Sequence, residues 1–232
     1  MKQTIAVIAI LALIAGQIGL VVKASFNDAP ATRLSQIAPR PQDLAPGQTL
    51  ETIAPYADLV AHEWDADAKL VEASMQIDWP DGYDPIAEGT LPVGGWLLLG
   101  YATPDKLLTM RIDRGSGTIV DTAIVPLTHD LANNYLSHPI MYGQGGRTSD
   151  MAVLAFEIAY GTAFRNDCSF RRPQSWVVPT VGSHGLPVWH ISYVNRHDDQ
   201  PADYLSGDLD SETGAIENVT GQNVQCEPKK SD

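Results

Sequence analysis

Two short turns of the same composition constrain this chain more than any other feature. Residues 113–117 read Asp-Arg-Gly-Ser-Gly and residues 210–214 read Asp-Ser-Glu-Thr-Gly, both rich in turn formers. Each follows a tryptophan-bearing apolar run and precedes a short strand. The first run is Gly94-Gly95-Trp96-Leu97-Leu98-Leu99, followed by a strand with Leu108, Met110 and Ile112 inward, then by residues 118–125. The second is Leu186-Pro187-Val188-Trp189-His190-Ile191-Ser192-Tyr193, and residues 215–220 close it. Trp96 stands 17 positions before Asp113 and Trp189 stands 21 before Asp210, so the extra length falls in the hairpin at 197–201.

The segments ahead of these runs extend the parallel. Pro55 suits a first helical turn, and Ala57, Val60, Ala61 and Trp64 share one helical face. Val71, Ala73, Met75, Ile77 and Trp79 alternate with polar residues, as in a half-buried strand. About ninety residues on, Met151, Leu154, Ala155 and Ile158 predict a helical face, and residues 164–170 a strand. In between, residues 127–146 predict a short helix capped by Thr128, ending at His138-Pro139 and followed by a glycine-rich joint. The expected fold class is α+β, with two tandem helix-plus-antiparallel-sheet units and a groove between them.

Trp189-His190-Ile191 followed by residues 210–216, and more faintly the stretch from Trp96 to Ile119, resemble PepSY-like domains, a cystatin-like group. The resemblance covers most of residues 56–221. It implies an extracytoplasmic binding, inhibitory or regulatory module. Gln222-Asn223-Val224-Gln225-Cys226 departs from the cystatin inhibitory loop, which ends in Gly, so protease inhibition is not expected.

Between Lys2 and Lys23 lie twenty uncharged residues, which as a helix span roughly 30 Å, a bilayer core. The basic flank favours an inside start and an exported remainder. Cleavage before Ser25 would release it. The length of the apolar run favours an uncleaved single-pass anchor with the C-terminal part periplasmic or extracellular, and no cysteine sits where a lipid could be attached. Five prolines from Pro30 to Pro55 mark a stalk. The chain thus divides into residues 1–24 (anchor or signal peptide), 25–55 (stalk), 56–127 (first unit), 128–148 (linker with a short helix), 149–221 (second unit) and 222–232 (acidic tail).

Residues 56–232 hold 11 Lys/Arg against 25 Asp/Glu, a net charge that repels nucleic acid. Cys168 and Cys226 lie in the exported part, where a disulfide closing about 58 residues would contribute roughly 4 kcal/mol. The six histidines lack metal-ligand spacing: His62-Glu63 has Ala at position 66 in place of a second ligand. Asp208, Asp210 and Glu212 have EF-hand spacing, but Thr213 and Val219 replace the required Gly and Glu. No metal or cofactor is expected. Arg165, Arg171 and Arg172, with Arg147 nearby, form a basic island that suits an acidic partner or neutralises local carboxylates, and Trp176 is a core residue or an interface anchor. The sequence therefore points to a non-catalytic, membrane-anchored binding module, an accessory subunit for an integral membrane or exported protein partner. The alternatives are a hydrolase working in the inter-unit groove around His190 or His184, and a weak calcium- or metal-binding protein.

Overall fold

The computed structural model describes residues 47–141, 146–167, 174–181, 187–195 and 203–221. Helix α1 (Leu50–Trp64) leads into β1 (Lys69–Asp78), a single-turn α2 (Pro85–Glu88), β2 (Gly95–Ala102), β3 (Lys106–Asp113) and β4 (Ile119–Pro126). After α3 (His129–Ser137) come α4 (Ser149–Phe156), a π-helical segment (Glu157–Gly161) and α5 (Thr162–Asp167). The described part ends in β5 (Gln174–Val181), β6 (Pro187–Asn195), β7 (Asp203–Asp210) and β8 (Ile216–Thr220). The eight strands among the described residues form one antiparallel sheet in the order β4-β3-β2-β1-β5-β6-β7-β8. The fold is α+β, as the periodicity predicts.

The expected groove between separate units is replaced by continuous sheet. β1 and β5 pair directly, Met75 with Val177, Gln76 with Trp176 and Ile77 with Ser175. One apolar core runs beneath the seam. Ile53, Ala57 and Val60 of α1 and Ala152, Val153 and Phe156 of α4 pack with Met75, Leu99, Met110, Ile191 and Leu209 from both strand meanders. Ser149 bonds Glu51 through its amide (2.8 Å) and its hydroxyl (2.7 Å), so the carboxylate of α1 caps the start of α4.

The Asp-x-x-x-Gly turns are built alike. Asp113 Oδ1 accepts from Ser116 N at 2.7 Å, and Asp210 Oδ1 from Thr213 N at 2.7 Å. Gly117 (φ 66°) and Gly214 (φ 76°) supply the left-handed residue that each turn requires. The two helix lead-ins also match. Gln48 N donates to Arg114 O (2.9 Å) and Arg147 N to Ser211 O (2.7 Å), so each meander's turn anchors the residue before its helix cap.

Four expectations are corrected. Helix α1 starts at Leu50, inside the stretch read as stalk, because Thr49 and Thr52 form a reciprocal cap that places Pro55 within the helix. In α4 the buried face is Ser149, Ala152, Val153 and Phe156, leaving Met151 53% and Ile158 61% exposed. This segment is apolar on every side, so periodicity does not choose a face, and the ring of Phe156 does. Residues 164–167 belong to α5, so the strand predicted over 164–170 does not form there. Finally, Trp96 and Trp189 are not equivalent. Trp96 pairs with Asp113, whereas the residue opposite Asp210 is Val188. This one-residue offset puts the two tryptophans on opposite sheet faces.

Candidate functional site

Helices α1 and α4 cover one face of the sheet. On the other face, α3 is the helix among the described residues that packs, and it covers only one end: Leu127, Tyr135 and Leu136 lie on Val71, Ala102 and Leu107. The middle of this face carries an aromatic pair. Gln76 on β1 is the register partner of both Trp96 on β2 and Trp176 on β5, so the two rings meet across it. Their centroids are 4.9 Å apart, with an interplanar angle of 84° and the edge of one ring against the face of the other. Both side chains are half-buried.

Local backbone geometry fixes this arrangement. Gly95, just before Trp96, has φ 115°, and a Cβ there would lie 2.1 Å from Gln76 O, so only glycine allows β1 and β2 to approach so closely. Beneath the rings Gln76 is 4% exposed. Its Nε2 donates to Asp78 Oδ1 at 3.0 Å, while its carbonyl Oε1 has no hydrogen-bond partner among the described residues.

One row across the sheet, Val178, His190 and Asp208 are register partners. His190 Nδ1 lies 2.7 Å from Asp208 Oδ1, and Asn218 Nδ2 donates to Asp208 Oδ2 at 2.8 Å. Asn218 takes φ 53°, an uncommon conformation for a residue with a side chain. Burial pushes the Asp208 carboxyl up, but the hydrogen bonds from His190 and Asn218 and the charge of His190 outweigh it and leave its pKa below the usual range. Among the described residues no hydroxyl or thiol bonds His190 Nε2, so none of them makes the nucleophile–base contact of a hydrolase with it.

Three buried polar groups hold the frame. Arg114, 1% exposed, donates to Gln48 O, Pro92 O and Gly94 O at 2.9 Å each. Burial lowers its pKa to about 10, against the opposing charges of Asp150 and Asp78. Glu72, beside α3, accepts a short hydrogen bond from Tyr135 Oη. Burial raises the pKa of Glu72, and this bond only partly offsets it; burial and the Glu72 charge together raise that of Tyr135. In the π-helical segment, fully buried Glu157 accepts from Tyr193 Oη (2.6 Å) and Thr162 Oγ1 (3.1 Å).

Of the residues predicted to bind a partner, Trp176 is on the open face. Arg165 falls in α5 with its side chain outside the description, and Arg171 and Arg172 lie outside the described residues, as do Cys168, Cys226 and His184. Arg147 is engaged at the β7–β8 turn, where its Nη1 donates to Glu212 O at 3.2 Å. Asp210 is committed to its own turn, whose backbone and side-chain donors, Thr213 first, lower its pKa. No cluster of three His, Cys, Asp or Glu able to hold a metal occurs among the described residues. No helix among them is long and apolar enough to cross a membrane, and residues 1–24 lie outside the description. Trp96, Gln76 and Gly95 are not legible in the sequence as site residues. The signal was present in the Gly94-Gly95-Trp96 run, but Trp96 reads as core until β5 is known to lie beside β1.

No protein-family model matches the chain, and no curated protein matches it. Among solved structures, the chain is similar to a "putative lipoprotein" from Clostridium difficile 630, with 12% identity and a TM-score of 0.46 over 77% of this chain and 95% of the other. That likeness is too distant to carry an argument about function.

Proposed function

We propose that this chain is a non-catalytic extracytoplasmic binding module, held at a membrane by its N-terminal segment, that docks a protein partner on the open face of its sheet. The observation that carries this reading is the Trp96–Trp176 pair, half-buried in mid-sheet where no described element covers it. Tryptophan is enriched among the residues that dominate interface energy, and a rigid aromatic pair orders little on binding. The recurrence of a helix followed by four strands supports a reading as two tandem PepSY-like units fused edge to edge. The anchor and the stalk would raise the local concentration of the module beside a membrane complex to which it is an accessory subunit. Arg165, Arg171 and Arg172 are proposed as secondary contacts.

The test is purification of the full-length chain from native membranes in mild detergent, with mass spectrometry of its stoichiometric companions. Wild type is expected to retain a partner that Trp96→Ala and Trp176→Ala lose, each by about tenfold or more. Retention of the same partner by both variants overturns the open-face reading. Loss of a measurable hydrolytic activity in His190→Ala would favour the hydrolase alternative.

A further inference from the structure

Resting on the open-face reading, the chemistry around the tryptophan pair narrows what can dock there. We propose that the docking segment of the partner is cationic, presenting Lys or Arg side chains to Trp96 and Trp176. Asp113 is the cross-strand partner of Trp96, and Asp78 bonds the glutamine beneath the rings. One row over stands the ionised Asp208, its pair with His190 kept within the sheet. Arg111, on the same face, is the register partner of Asp121 across β3 and β4. Asp78, Asp113, Asp121 and Asp208 outnumber Arg111 and the buried Arg114, so the field over the pair is negative, in an exported part that itself carries a large excess of carboxylates. An anionic segment would be repelled, and a neutral apolar one would add nothing to the partial compensation that Arg114 gives Asp78 and the Ser116 amide gives Asp113.

A second observation points the same way. Gln76 is 4% exposed, its amide nitrogen is committed to Asp78, and its carbonyl oxygen lacks a donor among the described residues. Gln76 Oε1 is not sealed from solvent, so it is an acceptor that a donor arriving at the open face can reach. An ammonium or guanidinium supplies several donors and a positive charge, and an indole is the best aromatic partner for either.

The experiment titrates the full-length protein in detergent with capped hexalysine and, separately, capped hexaglutamate, read by calorimetry at low and high salt. Hexalysine is expected to bind and hexaglutamate not to. Trp176→Ala should weaken hexalysine binding about tenfold. Asp78→Asn, which keeps an acceptor for Gln76 and whose fold is checked by circular dichroism, should weaken it about threefold. Asp67→Asn, in the turn that precedes the far end of β1, should leave it unchanged. Failure of hexalysine to bind overturns the proposal. So does equal weakening by Asp67→Asn and Asp78→Asn, which would mean diffuse attraction to an acidic surface. If the tryptophan variants lose the native partner while hexalysine ignores the pair, the cationic segment is wrong and open-face docking stands. If they keep the native partner, open-face docking itself is wrong.

Discussion

At the scale of single residues, the side chains that matter most to the frame are those whose roles depend on long-range contacts. The alternation of Trp189, His190 and Ile191 tells from sequence alone that His190 leaves the core, and the structure places it on the open face beside Asp208. Arg114 gives no such signal, because an arginine inside a polar turn reads as surface; only the fold brings three carbonyls around it. Arg114→Met keeps much of the volume but strands those carbonyls, so a loss of about 3 kcal/mol is expected in urea unfolding, with a native-like variant spectrum below the midpoint. Asp208 makes a pH prediction. Its pKa is lower in the folded chain than in the unfolded one, so its contribution to stability is present above the unfolded carboxyl value, about 3.9, and fades as pH falls through the folded value. Asp208→Asn should flatten the loss of stability below about pH 4. Urea midpoints measured from neutral pH to pH 3 would show it, and an unchanged slope would remove Asp208 from the account.

The elements were largely legible, and the errors have local causes. The alternation from Val71 to Trp79 locates β1, yet Val71 does not share the core face of Ala73, Met75 and Ile77. A register shift between Leu70 and Glu72 turns Val71 toward α3, and a bulge leaves no trace in a period-two pattern. The same irregularity sets Glu72 under Tyr135, where α3 closes one end of the open face. Thr128 and His138-Pro139 announce the ends of α3 in sequence, but nothing there announces its buried carboxylate. Burial raises the pKa of Glu72 above its unfolded value, so the protonated form suits the folded chain better. The associated stability is full below the unfolded value, about 4.3, and is lost as pH rises through the folded one. Glu72→Gln keeps an acceptor for Tyr135 and removes the ionisation. Its melting temperature is expected to equal or exceed wild type at pH 8 and to lack the wild-type decline as pH rises above the unfolded carboxyl value. A variant less stable than wild type at both ends of that range would mean the carboxylate is needed for something the burial argument omits.

For the molecule as a whole, the recurring turns suggest two units, and the unforeseen feature is how those units join. Sequence periodicity cannot report which strands become neighbours, and pairing of β1 with β5 merges two meanders into one sheet over one core. The seam carries specific bonds as well as apolar contact: Trp79 Nε1 donates to Ser175 Oγ at 2.7 Å, Leu50 N reaches Ser149 Oγ, and Ser149 is clasped by Glu51. Cutting there would bare a central strand edge and leave Met75, Ile77 and Val177, each 0% exposed, open to water. Residues 47–221 are therefore expected to unfold in one transition, with the calorimetric enthalpy matching the van't Hoff value. Excised residues 47–127 and 146–221 should each lack the amide-exchange protection of the intact protein and recover it only when mixed. Glu51→Ala, which unclasps the two helices without touching the sheet, should lower the single transition by about 1 kcal/mol rather than split it. Two separate transitions, or a half that folds alone, would show that the seam is a contact between finished domains and would restore the groove that the sequence led one to expect.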